Sequence, residues 1–358
     1  MDPLTHFLTG ACLGRAGFNR KAAYATLAMT LAAEAPDLDV LWAFRGPVAG
    51  FEHHRGITHT LIAAPVIALV TTGVVWLIHK IRTGRFRSKP TKAPPRWGLL
   101  WCFALIADLS HLLLDFTNNY GLRPFFPFNP RWYAWDIVFI IEPLIIGALL
   151  LALIMPSLFG LADREMGVKR TLFRGRGSAI AALVFIALLY AVRNAEHAHA
   201  INLVRNSTVT NAPILRVSAQ PEPINPFLWY VLIETPDYYQ TATVHTRSDQ
   251  IDTDSAENVI YKPPVTTSTL AAKRSWLGKV YLDWSKWPII EDKGAIAPPD
   301  YKVDPPDPNW HTVEFRDLRF GYPILSLKPS DSALAGWVYV GPQQEIEGIF
   351  MSGTEQKN

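Results

Sequence analysis

The stretch FEHHRGITHTLIAAPVIALVTTGVVWLIH, residues 51–79, sets a cluster of histidines directly against a long apolar run. From residue 60 to residue 79, the run has the length of about 20 mostly apolar residues that a helix needs to cross a bilayer. A polar, imidazole-rich segment therefore lies at the edge of a predicted membrane span. The interpretation of this junction depends on which residues the other segments place at the same depth of the membrane.

Three further runs have the same character, so the sequence predicts four membrane-spanning helices. They lie at residues 97–116, 134–155 and 178–192 with its flanks. Two shorter elements precede them, at residues 4–17 and 21–44, and the first is predicted to be a short or re-entrant helix. Residues 1–195 are therefore predicted to form an α-helical membrane bundle of about five to six helices.

The remainder, residues 196–358, is predicted to be a β-rich soluble domain, either a β-sandwich or a small barrel. Strand-like runs such as ILRVSA, FLWYVLIE, YYQTATVHT, HTVEFRDLRF and AGWVYVGP alternate with turn-rich pieces such as PEPINP and PPDPNW. The formal net charge of only +3 gives no reason to expect nucleic acid as a partner. Cys12 and Cys102 lie in apolar runs, which predicts packing roles and no disulfide framework.

Basic residues concentrate in the two loops that follow the first and third predicted spans. They are Lys80, Arg82, Arg85, Arg87, Lys89, Lys92 and Arg96, and then Arg164, Lys169, Arg170, Arg174 and Arg176. By the positive-inside rule, both loops are predicted to be cytoplasmic. Residues 45–59, residues 116–135 and the chain from about residue 195 then lie outside. This orientation predicts a multi-pass protein of the inner membrane with an extracytoplasmic C-terminal domain.

Ionisable side chains inside membrane helices are costly, commonly about 2.5 to 3.5 kcal/mol each, and therefore usually indicate function. The motif DLSHLLLD places Asp108, His111 and Asp115 at positions i, i+3 and i+7, on one face of a helix. Carboxylate and imidazole together are ligands for zinc, manganese or iron. The alternative is a buried hydrogen-bond network that holds helices together.

Four other segments place acids or histidines at the outer membrane depth that the basic loops predict. They are the first helix, the EAPDLD motif, the HHRGITH motif and the segment around residue 136. In HHRGITH, Gly56 can bend the backbone so that His54 and His59 converge. The predicted metal ligands are His6, Asp37, Asp39, His54, His59, Asp108, His111 and Asp115.

These ligand assignments compete with simpler alternatives. Asp37 and Asp39 could only mark the end of a helix near Pro36, and His54 and His59 could cap the next helix. The joint placement of acids and histidines at one depth favours a metal site, because random placement would scatter them between the two sides.

Three further residues are candidates for catalytic roles. Arg55 could form a structural ion pair, or its forked donors could hold an anionic substrate such as a phosphate. Glu34 could be a ligand, a general base or a partner that orients a histidine. Either Glu34 or Asp136 is predicted to handle a proton.

The linked motifs, His6 with EAPDLD, HHRGITHT and DLSHLLLD, resemble those of a bacterial family of membrane-bound, metal-dependent hydrolases, some of them LexA-regulated. The resemblance covers roughly residues 1–195, with Thr60 where the family often has serine. That family is in turn similar to zinc-dependent phospholipase C and P1 nuclease. The similarity implies a site formed by His6, Asp37, His54, His59, Asp108, His111 and Asp115.

Together these motifs predict an integral membrane hydrolase whose site opens at the outer face of the inner membrane. So many ligands predict two or more divalent ions, zinc first and manganese or iron as alternatives, which would produce a hydroxide nucleophile from water. The predicted substrate is a phosphoester or a lipid-linked phosphate, with membrane lipids as partners. The alternatives are a metal or proton transporter, a metal sensor, or a structural membrane protein in which the metal only joins helices.

Overall fold

The computed structural model describes residues 1–84, 94–166, 174–253, 258–296, 309–321 and 334–356. Among the basic residues that set the predicted orientation, six lie outside these ranges: Arg85, Arg87, Lys89, Lys92, Lys169 and Arg170. The chain divides into two compact units. The membrane unit comprises Met1–Asp39, Arg55–His199 and Pro221–Leu228, and the β unit comprises Val40–His54, Ala200–Gln220 and Trp229–Asn358.

Four helices are long and apolar enough to cross a membrane, which confirms the predicted fold class for the N-terminal half. They are α4 (Ala64–Gly84), α5 (Trp97–Thr117), α6 (Pro143–Glu165) and α7 (Arg176–Arg205). α6 begins later than the sequence predicted, so that Asp136 and Glu142 precede it. Pro143 suits the first position of a helix, where its missing N–H has no partner to lose.

Two shorter helices, α1 (Pro3–Arg15) and α2 (Ala25–Glu34), pack closely against each other. Gly10 and Gly14 of α1 permit this approach, since a Cβ on Gly10 would lie only 2.6 Å from the carbonyl oxygen of Met29. A GxxxG spacing of small residues thus brings the backbone of α2 against the face of α1 that carries His6.

The region predicted as one element over residues 21–44 is divided at the end of α2. A 3₁₀ segment, Ala35–Arg45, follows α2 and leads to α3 (Pro47–His53). Pro36 has no N–H for continued helical hydrogen bonding, so α2 ends just before it. Asp37 and Asp39 consequently lie on the 3₁₀ segment.

The C-terminal half is rich in strands, as predicted, and forms two five-stranded sheets within the described ranges. The first contains β1 (Arg216–Pro221), β2 (Leu228–Glu234), β3 (Tyr238–His245), β4 (Gln250–Asp252) and β5 (Val259–Tyr261). β1 to β4 follow each other in order, and β5 pairs antiparallel with β3. The five strand-like runs recognised in the sequence include β1, β2 and β3.

The second sheet is antiparallel, in the order β10-β9-β8-β7-β6. Its strands are β6 (Pro288–Asp292), β7 (His311–Asp317), β8 (Gly336–Val340), β9 (Ile346–Met351) and β10 (Thr354–Gln356). Two helices, α8 (Thr267–Ala272) and α9 (Trp276–Trp284), lie between the sheets in sequence. Leu232 and Tyr239 of the first sheet share one buried cluster with Ile289 of the second and with Trp287, which directly precedes β6, so the two sheets have a common core.

Candidate metal centre

Four side chains from three segments of the membrane unit bring ligand atoms within 4.8 Å of one another: Asp37, His59, His111 and Asp115. The Nε2 atoms of His59 and His111 are 3.0 Å apart. His59 Nε2 lies 3.3 Å from both Asp37 Oδ1 and Asp115 Oδ2, and His111 Nε2 lies 3.7 and 3.4 Å from the same two oxygens. Atoms that ligate a tetrahedral zinc ion at its usual distances are about 3.4 Å apart. The cluster could therefore hold a metal ion.

Hydrogen bonds to the two imidazoles determine which nitrogen faces the cluster. His111 Nδ1 lies 2.7 Å from the carbonyl oxygen of Ala33, which can only accept, so this nitrogen carries a proton. His59 Nδ1 lies 3.2 Å from Asp39 Oδ2, which orients that ring in the same way. If each ring carries its single proton on Nδ1, the two Nε2 lone pairs face each other at 3.0 Å and repel unless a cation lies between them.

Arg55 is buried and is held by groups at the end of α5 and in the turn that follows. Its Nη2 donates to Asp115 Oδ1 at 2.8 Å, and its Nη1 donates to Asn118 Oδ1 at 3.1 Å and to the Gly121 carbonyl at 2.8 Å. Of the two alternatives for Arg55, the ion pair is present, and its partner is the candidate ligand Asp115. Contact with an anionic substrate stays a prediction.

Two other predicted ligands are buried beside the cluster. His6 stacks on His111 with ring centroids 3.7 Å apart, and its Nε2 lies 3.3 Å from Asp115 Oδ1. The amino group of Met1 also contacts this oxygen. Asp108 lies one helical turn before His111, and neither of its oxygens has a hydrogen-bond partner among the described residues. Ligation of a metal ion by His6 or Asp108 stays a prediction.

Asp39 and His54 occupy different positions. Asp39 Oδ2 accepts the backbone N–H of Arg55 at 2.7 Å as well as approaching His59 Nδ1. This position, behind a candidate ligand, is typical of a carboxylate that orients a metal-binding imidazole. His54 follows α3, in the β unit, and is not one of the four clustered residues. Ligation by Asp39 or His54 stays a prediction.

The candidate proton-transfer groups lie in the membrane unit. Glu34 ends α2, and burial together with the charge of Asp37 raises the pKa of Glu34 to about 7. Asp136 lies ahead of α6 with a left-handed φ of 58°. Their roles stay predictions. Glu142, directly before α6, accepts hydrogen bonds from Arg193 Nη2 at 2.8 Å and from the Ile224 N–H at 3.0 Å.

Sequence reasoning missed the groups that orient the ligands. The Ala33 carbonyl holds His111, and a carbonyl at the end of a helix leaves no mark in the sequence. Asn118 and Gly121 hold Arg55, and here a signal existed: both follow the polar stripe of α5 directly, in the turn-like run NNYG.

Solvent reaches the cluster at Asp37, whose side chain is 17% exposed, whereas His59, His111 and Asp115 are fully buried. Leu38, the next residue, is 62% exposed, and Ile57, two residues before His59, is also exposed. The accessible side of the cluster is therefore bordered in sequence by apolar side chains.

Comparison with known proteins agrees with a membrane protein. The family model of the YdjM inner membrane protein matches residues 1–200. The "Uncharacterized protein YfhP" of Bacillus subtilis (strain 168) is 26% identical over 155 residues, which is 40% of this chain and 43% of that relative. The match thus spans less than half of the relative's length. No solved structure matches the chain. Since the family match covers more than half of the chain and includes α4, α5, α6 and most of α7, the chain belongs to the YdjM inner membrane protein family.

Proposed function

We propose that the chain is a metal-dependent hydrolase of phosphoester or lipid-linked phosphate substrates, acting at the outer face of the inner membrane. The observation that carries the proposal is the convergence of two imidazole Nε2 atoms and two carboxylate oxygens at separations of 3.0 to 3.7 Å. In a purely structural hydrogen-bond network, one of the two facing Nε2 atoms would have to carry a proton, although an oxygen acceptor lies beside the Nδ1 atom of each ring. A divalent cation satisfies all four donor atoms at once.

The proposed resident metal is zinc, with manganese or iron as alternatives, because two nitrogens and two carboxylate oxygens suit all three. Asp37, His59, His111 and Asp115 would hold one ion. The buried donors of His6 and Asp108 support a second. When bound, such ions polarise a phosphoester and make water easier to deprotonate.

Contacts within the chain orient the ligand atoms before a metal ion binds. The Ala33 carbonyl and Asp39 keep the two imidazoles turned so that Nε2 faces the site. Arg55 binds Oδ1 of Asp115 and leaves Oδ2 for the cluster. Burial lowers the local dielectric constant, which strengthens the attraction between the carboxylates and a cation.

Proton transfer is assigned to Glu34, with Asp136 as the second candidate. A carboxyl group with a pKa of about 7 can both accept and release a proton near neutral pH, whereas an ordinary glutamate stays ionised. Glu34 lies three residues before Asp37, the ligand on the solvent-accessible side of the cluster.

The substrate class follows from the residues around Asp37, where solvent reaches the cluster. Asp37 is flanked by exposed Leu38, and Ile57 is exposed near His59, so an incoming substrate meets apolar side chains as well as the polar cluster. A phosphate with an attached lipid, drawn from the membrane, has both properties. The extracytoplasmic orientation proposed from the basic loops would place the opening at the outer face.

The test is purification of the full chain in detergent, metal analysis, and assays on phosphodiester and phospholipid substrates. His79 provides a matched control for His59, because it lies in the same unit near the end of α4 and contacts Tyr24 instead of the cluster. We expect His59→Ala to lose both metal and turnover and His79→Ala to retain both. Bound metal without turnover on any ester would contradict the hydrolase assignment, and metal flux in proteoliposomes would then favour the transporter.

The orientation is tested separately by thiol labelling of a cysteine introduced at exposed Ser248, in spheroplasts whose membrane is intact. Labelling by an impermeant reagent is expected. Labelling only after lysis would place the β unit in the cytoplasm and remove the argument for an outer-face site.

A further inference from the structure

The segment Val40–His54, called the anchor loop below, interrupts the metal centre in sequence. It folds with the β unit, although the residues on both sides of it belong to the membrane unit. Asp39 precedes it directly, and Arg55 follows it directly. Contacts that fix the two ends of the loop therefore also help to position Asp39 and Arg55, which contact the candidate ligands.

Aromatic packing fixes the middle of the anchor loop within the β unit. Phe51 of α3 meets Trp284 edge-on with ring centroids 5.0 Å apart and stacks on Tyr281 at 5.8 Å. Both partners belong to α9 and are buried. The neighbouring Glu52 accepts a hydrogen bond from the Trp276 indole N–H at 3.0 Å. The loop is thus part of the β-unit core, and aromatic pairs in these arrangements attract beyond simple burial.

A second contact holds the loop where it enters α3. The Gln356 side chain of β10 accepts from the Val48 N–H at 2.7 Å and donates to the Arg45 carbonyl at 3.3 Å. Gly46 lies between these two backbone groups with a φ of 117°, and a Cβ there would fall 1.5 Å from Gln356 Nε2. Only glycine fits both the backbone conformation and the close approach.

The base of the loop is closed by Asp39 and Arg55. The Arg55 N–H donates to Asp39 Oδ2 at 2.7 Å, with Arg55 in the left-handed region at a φ of 52°. The same carboxylate oxygen lies 3.2 Å from His59 Nδ1. The group that closes the loop therefore also orients a candidate metal ligand.

We infer that the anchor loop is a positioning element of the metal centre, with Phe51 and Gln356 as its positioning residues. Because the loop is folded onto α9 and β10, the separation of its ends is set before the base closes. A flexible loop would lose conformational entropy each time Asp39 met Arg55, whereas the anchored loop has lost it already. The inference rests on the proposed metal centre and assigns the β unit a part in metal affinity.

The test is titration of the full chain in detergent with Co²⁺, whose visible spectrum reports binding without any assay of turnover. Phe51→Ala and Gln356→Ala are expected to weaken Co²⁺ binding roughly 10-fold, near the lower end of the effect of removing a group that orients a ligand. Phe51→Leu, which keeps most of the buried volume, is expected to bind close to wild type.

The matched control is Ile233→Ala, because Ile233 is fully buried in a β-unit cluster that contains no anchor-loop residue. It is expected to lower thermal stability without changing Co²⁺ affinity. Equal affinities in wild type, Phe51→Ala and Gln356→Ala would overturn the inference alone. Wild type that binds no Co²⁺ or Zn²⁺ would overturn the proposed metal centre and the inference with it. Gln356→Ala removes only two hydrogen bonds, so it decides the matter if Phe51→Ala does not fold.

Discussion

Each unit of the molecule contains a buried carboxylate beside cationic or imidazole groups, and the two are arranged in opposite ways. In the β unit, Asp317 Oδ1 accepts from the backbone N–H and Nε of Arg319, and Oδ2 accepts from Arg319 Nη2 at 2.9 Å. Ser285 Oγ and the Lys286 N–H also donate to Oδ2. In the membrane unit, Asp115 Oδ2 has no hydrogen-bond partner among the described residues and lies 3.3 and 3.4 Å from the Nε2 atoms of His59 and His111.

The difference distinguishes a buried carboxylate that has a structural role from one that is suited to bind a ligand. A buried polar group whose partners are all protein atoms specifies a packing arrangement and requires nothing else. Buried hydrogen-bond acceptors that face one another repel, and this repulsion destabilises the folded protein unless a cation binds between them. Variants of the two clusters and of their neighbours test this distinction, beginning with the largest expected effect.

Removal of a ligand from the membrane-unit cluster should abolish tight metal binding. His111→Ala is expected to weaken Zn²⁺ binding about 100- to 1,000-fold, since four ligands share a binding free energy of about 10 to 16 kcal/mol in structural zinc sites. Competition titration with a chelator measures it. His245→Ala is the control, because His245 pairs with Asp252 in the β unit; an equal loss there would show that the effect is not local.

Breaking the Asp317 ion pair should destabilise the β unit and leave metal affinity unchanged. Asp317→Asn leaves a buried Arg319 without its charge partner, at a cost of about 3 kcal/mol. Hydrogen exchange of the β7 and β8 amides reports the loss. Pairing it with Arg319→Met should restore part of the protection, and a single variant as stable as wild type would remove the contrast between the two clusters.

The Asp317–Arg319 ion pair also makes the stability of the β unit depend on pH. Burial alone would raise the pKa of Asp317, but the charge of Arg319 and the hydrogen bonds to the carboxylate hold that pKa below its ordinary value. Its contribution to stability is therefore complete above the ordinary aspartate pKa of about 3.9 and is lost as the pH falls through the lower, folded-state value.

Asp39 should have an intermediate effect, because it orients a ligand without belonging to the four clustered residues. Asp39→Asn keeps the shape and an acceptor for the Arg55 N–H but removes the charge beside His59 Nδ1. Zn²⁺ affinity is expected to fall about 10- to 100-fold. A decrease as large as that of His111→Ala would instead identify Asp39 as a ligand.

The smallest effect concerns Glu34 in metal-free protein. Its pKa is raised to about 7 in the folded state, so folding binds a proton that the unfolded chain has released above about pH 4.3. The stabilising contribution is present at acidic pH and disappears as the pH rises through about 7. With a chelator present, wild type should lose more thermal stability than Glu34→Gln between pH 5 and pH 8. Parallel curves would contradict the raised pKa.

Much of the fold was predictable because length and apolar content alone identify a membrane span. The start of α6 was not, since apolar residues are frequent both before and after it. The helix begins only at Pro143, and Asp136, with its left-handed φ, lies outside it. Short strands such as β4 and β10 were missed because three residues carry no recognisable alternation.

The site was predictable at the level of residue type but not of atoms. The spacing of Asp108, His111 and Asp115 places them on one helical face wherever the helix lies. Which of them meets His59 depends on how α2 and α5 pack, and α2 also supplies the carbonyl that orients His111. That packing involves many alanines, among them Ala28 and Ala32 of α2 and Ala104 and Ala107 of α5. Such small side chains give little pattern to recognise in the sequence.

The placement of the anchor loop in the β unit has a consequence for how this chain could have been inherited. A domain that is merely appended to a membrane protein can be gained or lost by recombination at a single point. Here the β unit includes Val40–His54, far upstream of the rest of it, so one recombination point cannot transfer it whole. In this chain Phe51 packs against Tyr281 and Trp284 of the β unit, and a relative without that unit would lack these partners. Between its acidic and histidine motifs, selection would favour a shorter or more polar segment, so that the upstream loop and the downstream domain evolve together.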